Sequence, residues 1–128
     1  DKRGLESVHM RILSCAQVTS ARALGTWLSY DDLIQLTKRC IDTPVTGFAV
    51  VYGVSNNDRA AVDNSKASFL GFRPKDNAEQ FAEKILAETD VLDSQDPGHM
   101  CHGGPFAKVD LGESGLATMT IIDDKKVI

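Results

Sequence analysis

Apolar and polar positions alternate imperfectly from Glu6 to Leu13, with Val8, Met10 and Ile12 on one side and Ser7, His9, Arg11 and Leu13 on the other. A period of two predicts a β-strand. Periodicity is then lost until Leu33, Leu36, Thr37, Cys40 and Ile41 recur at helical spacing. Ser29-Tyr30-Asp31-Asp32 reads as a capping box at the start of that pattern and Pro44 closes it, predicting a helix from about Tyr30 to Asp42. Gly47 to Val54 is nearly continuous in apolar and β-prone residues, the pattern of a strand buried on both faces in a parallel sheet. Strand, helix and strand in this order predict a right-handed βαβ unit. In such units ligands sit at the carboxyl ends of the strands, which here lead into Ser14–Asp32 and the turn cluster Ser55–Arg59.

Further along, Asp63-Asn64-Ser65 caps a short helix through Lys66, Ala67, Phe69 and Leu70, stopped by Gly71. Arg73-Pro74 turns the chain. Asp76-Asn77-Ala78-Glu79 is a second capping box, and Ala78, Phe81, Ala82, Ile85 and Leu86 make one apolar helical face. Beyond Thr89 the pattern weakens into loop, with Asp90, Asp93 and Asp96 lacking a basic partner, and a strand is expected at Ala117 to Ile122. There is no internal repeat.

Length and composition fit one globular domain: the 128 residues are 42% hydrophobic and 25% charged, enough apolar material to bury a core. Eighteen acidic against fourteen basic residues, with no basic block, favour neither nucleic acid nor an anionic membrane as partner. No apolar run approaches the roughly 20 residues of a membrane helix, and Asp1-Lys2-Arg3 does not lead into a signal-peptide core. Cys15, Cys40 and Cys101 are odd in number and widely spaced, as expected of reduced thiols in a cytoplasmic protein. An opening Asp rather than Met suggests that the natural beginning lies upstream.

Candidate chemistry concentrates in Ser14–Asp32. It holds the only Trp, Trp27, and one arginine, Arg22, in an otherwise uncharged run from Cys15 to Tyr30. A guanidinium so placed suits a carboxylate or phosphate, which it can grip with two parallel hydrogen bonds. The same spacing equally describes a surface arginine beside a packing tryptophan. His99-Met100-Cys101-His102 fits no standard zinc spacing, and His9 reads as a packed histidine, so no metal ligand is assigned.

Asp63-x-x-Lys66-Ala67-x-x-x-Leu70-Gly71-Phe72-x-Pro74 resembles the segment after the last sheet crossover in extended short-chain dehydrogenase/reductases, the NAD-dependent epimerase/dehydratase superfamily. Ser14-Cys15, Arg22-x-Leu24-x-Thr26-Trp27-Leu28-Ser29, Val51-Tyr52-Gly53-Val54-Ser55-x-Asn57-Asp58 and Arg73-Pro74-x-Asp76-Asn77-Ala78-Glu79 are similar, more narrowly, to its uronate-oxidising branch. The likeness covers roughly Lys2 to Leu111 and only the carboxyl-terminal half of the family's domain. It implies an α/β fold: the carboxyl-terminal part of a Rossmann-like doubly wound parallel sheet with flanking helices, over residues 1–112. Residues 113–128 are then a tail.

The resemblance further implies that the complete protein is an NAD-dependent enzyme, a cytoplasmic homo-oligomer oxidising glucuronate or galacturonate to the aldarolactone. Arg22 matches the arginine that binds the uronate carboxylate, Ser14 a residue of the substrate pocket, and Cys15 one beside the nicotinamide of the NAD cofactor. The family's glycine-rich G-x-x-G-x-x-G turn is absent. So is its Tyr-x-x-x-Lys pair, since Ile34 follows Tyr30 and Asn56 follows Tyr52 at that spacing. No catalytic residue is therefore assigned to this chain, which is expected to be inactive without the missing amino-terminal half. Two other readings remain: a sugar-nucleotide epimerase or dehydratase, and a non-catalytic remnant acting through an exposed sheet edge.

Overall fold

Two parallel strands carry the architecture, β1 at Ser7–Ile12 and β2 at Phe48–Gly53, in the register Ser7↔Phe48 through Ile12↔Gly53. They are seen in a computed structural model that describes residues 3–109 and residue 112. Helix α1 (Ala23–Thr26) lies in the loop after β1, and α2 (Tyr30–Asp42) joins the strands. After β2 come a 3₁₀ turn at Ser65–Leu70 and another at Ala78–Phe81 that runs directly into α3 (Ala82–Glu88). These elements form one compact unit ending at Asp90; a second begins at Val91. The fold is thus α/β, a parallel sheet with flanking helices.

Helix α2 has the bounds that its periodicity predicts, and its capping half-follows the expected box. The Ser29 hydroxyl accepts from the Asp32 amide at 3.1 Å, but the Asp32 carboxylate does not return the bond. It is 2% exposed and accepts instead from the Ser55 hydroxyl (2.6 Å) and the amides of Lys75 (2.9 Å) and Asp76 (3.1 Å). One carboxylate thereby fastens the start of α2 to the end of β2 and to the loop before α3. Burial of an ionised group is tolerable only when it is this fully bonded. Leu36 faces the core as expected, whereas Ile41, placed on the same face by spacing, is exposed.

The core divides in two. Leu28, Leu36, Val51, Ala67, Leu70 and Phe72 fill the space between β2, α2 and the 65–70 turn, while Leu24, Ala78, Ala82 and Ile85 join α1 to α3. Burial on both faces of β2 is corrected by the structure. Ala49, Val51 and Gly53 are buried, Val50 and Tyr52 are half-buried, and Phe48 is 68% exposed. The expected inward row of β1 is covered only at Val8, with Met10 and Ile12 exposed.

Capping elsewhere also departs from expectation. At 63–65 the Asp63 carboxylate takes both the amide and the hydroxyl of Ser65, which holds its pKa below the ordinary range. Gly71, at φ 72°, ends the turn in the left-handed region that suits glycine. At 76–79 the capping side chain is Asn77, which accepts from the Glu79 amide, while the Asp76 carboxylate bonds the Ser29 hydroxyl. Glu79 pairs bidentately with Arg59 at 2.7 and 2.8 Å, which depresses its pKa.

The second unit is less loop-like than its sequence suggests. It contains α4 (Pro97–Met100), capped by Asp96 through the Gly98 amide, and a 3₁₀ turn at Gly104–Lys108. Asp96 does have a basic partner, Lys108 at 2.5 Å, and this bond lowers its pKa. The strand expected at Ala117 to Ile122 lies outside the described residues.

Candidate functional site

Past Ile12 and Gly53 the two strands stop pairing with each other, and the segment Trp27–Leu28 enters between their carboxyl ends. The Leu28 amide donates to the Ser14 carbonyl at 2.7 Å, and the Ser55 amide donates to the Trp27 carbonyl at 2.9 Å. Asn57, buried in the turn after β2, completes the placement: its Nδ2 donates to the Trp27 carbonyl at 2.8 Å and its Oδ1 accepts from the Ala78 amide at 2.9 Å. Gly25 allows the close approach that this wedge needs, since a Cβ there would lie 2.5 Å from the Arg59 carbonyl oxygen. The expected ligand loop is therefore a braced wedge, fixed by backbone bonds to both strand ends and by one buried amide.

Beside the wedge lies a cleft of about 560 Å³, walled by Cys15–Val18, by Trp27–Tyr30 and by α3 with the turn before it. This lies within the ~300–1,000 Å³ usual for small-molecule sites. The Trp27 ring meets Phe81 edge-on with centroids 5.6 Å apart. Polar groups in the lining are Cys15, Gln17, Ser29, Tyr30 and Lys84, and Lys84 is its single charged side chain. The Ser29 hydroxyl is already committed to Asp32 and Asp76.

Of the three residues assigned from sequence, the structure places Cys15 in this lining and Ser14 and Arg22 outside it. Ser14 is half-buried at the wedge, paired with Trp27. Arg22 stands at the amino-terminal boundary of α1, also half-buried, and desolvation by that burial lowers its pKa from the ordinary value. Such a guanidinium remains charged at neutral pH and gains from an anionic partner.

Sequence reading missed the work of Asp32, Asn57 and Lys84. Asp32 was legible as a cap, and its burial had no signal in spacing. Asn57 sits in a cluster that announces a turn, not a bridge. Lys84 follows Phe81 by three residues, one helical turn, but that the same flank faces Cys15–Val18 is a tertiary fact.

No family model matches the chain. It is 43% identical over 108 residues to the uronate dehydrogenase of Pseudomonas putida, and 42% identical over 107 residues to that of Agrobacterium fabrum. These alignments cover 84% and 83% of this chain, which spans about 40% of the length of either relative. The crystal structure of uronate dehydrogenase from Agrobacterium tumefaciens superposes with a TM-score of 0.80 at 38% identity, covering 88% of this chain and 43% of that one. A mutant of the latter was solved complexed with NAD. The resemblance seen in the motifs thus extends over most of the chain, in sequence and in fold, and the sheet is the corresponding part of a Rossmann-like domain.

Proposed function

We propose that this chain is the substrate-side part of an NAD-dependent dehydrogenase that oxidises uronic acids, glucuronate or galacturonate, to aldarolactones. The observation that carries the reading is the 42–43% identity to uronate dehydrogenases over 83–84% of the chain. Residues 1–112 would form the carboxyl-terminal half of the catalytic domain, and residues 113–128 a tail. By the same resemblance the complete protein is a cytoplasmic homo-oligomer.

Within that enzyme Arg22 would hold the uronate carboxylate, Ser14 would contribute to the sugar pocket, and Cys15 would stand beside the nicotinamide. These roles are binding and orientation, which lower a barrier by fixing reactants in place. NAD, when bound, accepts the hydride. This chain does not by itself offer a cradle for the dinucleotide: its sequence contains neither the glycine-rich turn that receives a pyrophosphate at a helix start nor a Tyr-x-x-x-Lys base. The cradle for the pyrophosphate and the group that removes the proton would belong to the part of the relatives that this chain does not span.

The test is to read the coding DNA upstream of Asp1 and assay the complete product. In-frame continuation into a Tyr-x-x-x-Lys pair and a glycine-rich turn, with NADH formed from uronates, is the expected result. A product that turns over sugar nucleotides and leaves uronates untouched would overturn the reading.

A further inference from the structure

The cleft beside Trp27 has a charge pattern that the roles above do not use. Val18, Trp27, Leu28 and Ile85 contribute apolar surface to its lining, and no carboxylate enters that lining. The one charge is the Lys84 ammonium, which makes no hydrogen bond or ion pair among the described residues. Arg22, the cation to which the uronate carboxylate is assigned, is not part of this lining. An anion entering the cleft therefore meets Lys84 and no carboxylate of the lining, the acid nearest to hand being Asp76, which the Ser29 hydroxyl engages. Gln17 and Tyr30 add side-chain donors to the lining, and the Trp27 ring offers an aromatic surface to the body of a ligand.

We propose that this cleft is a second small-molecule site, for a ring-bodied sugar acid whose carboxylate is anchored by Lys84 and whose ring lies against Trp27. The choice of a sugar acid rests on the uronate reading. The site itself rests on the cleft, its single cation and its lack of acid. Pocket volume suits a monosaccharide with accompanying water.

Trp27 is the only tryptophan, so its fluorescence reports this cleft in the 128-residue chain without NAD or turnover. Titration with glucuronate is expected to change the emission saturably, and neutral glucose at the same concentrations is expected not to. Lys84→Ala should weaken the glucuronate response about tenfold or more, and Lys84→Arg should restore most of it. Lys84 is exposed, so loss of its side chain leaves the fold intact, which circular dichroism checks. An equal response to glucose, a response that persists in Lys84→Ala, a response to NAD alone, or no saturable response would each overturn the proposal. Uronate turnover by the complete protein is read separately, so failure of this site and failure of the dehydrogenase reading are distinguishable.

Discussion

Strands β1 and β2 have the same length and share every rung of one ladder, yet their surroundings are opposite. On β2 the residues of one face are buried by α2 and the 65–70 turn, and the outer edge is closed at Tyr52 by a side chain. The Asn64 amide accepts from the Tyr52 N–H at 2.8 Å and donates to its carbonyl at 2.9 Å, taking both positions that a neighbouring strand would use. On β1 the last four residues are exposed, and among the described residues no strand other than β2 pairs with it. Hydrophobicity alone does not distinguish Met10 from Val51, its partner on the ladder. What separates them is whether this chain supplies a layer to cover them. Stability is therefore concentrated on β2, where the wedge of Trp27 and the buried carboxylate of Asp32 are also fixed.

The sharpest contrast lies on a single rung. Val51→Ala, at a residue 1% exposed, should cost about 2 kcal/mol in urea unfolding, whereas Met10→Ala, at a residue 39% exposed, should cost less than about 1 kcal/mol. Equal losses would mean that β1 is covered as fully as β2 and would break the contrast. Asn64→Ala, which unseals the β2 edge, should cost about 1–2 kcal/mol by removing two hydrogen bonds to half-buried backbone. An unchanged midpoint would show that solvent seals the edge as well as the amide does.

Much of this contrast was legible in the sequence and part was not. Local signals located both strands, the bounds of α2 and the stop at Gly71, because alternation, capping and left-handed glycine are properties of a few adjacent residues. The same signals assigned both faces of β2 to a core and Ile41 to a buried stripe. Pattern records which side chains are suited to burial, not whether anything lies over them. Roles set by residues distant in the chain were invisible: Asn64 as a substitute strand, Asp32 as a node and Lys84 at a cleft. Arg22 was singled out by its isolation among uncharged neighbours, and the structure adds that it is partly desolvated without placing it in the cleft.

The smallest effect is the pH dependence of the Arg59–Glu79 clasp, which ties the turn after β2 to the 3₁₀ turn that leads into α3. The hydrogen bond from Arg59 holds the Glu79 pKa below its ordinary 4.5, so its contribution is complete above that value and lost as pH falls through the folded-state pKa. Thermal unfolding between about pH 6 and about pH 3 should therefore lose stability slightly more steeply in the native sequence than in Glu79→Gln. A steeper loss in the variant would reverse the assigned sign.

For the complete protein, the decisive comparison is the initial rate of NADH formation from glucuronate with Arg22 present and with Arg22→Ala. If Arg22 orients the substrate through its carboxylate, the native protein reduces NAD in a uronate-dependent way, and the variant shows a KM raised about tenfold or more with kcat changed less than about threefold. A native protein inert toward uronates would contradict the proposed activity, and an unchanged KM in the variant would remove Arg22 from substrate recognition.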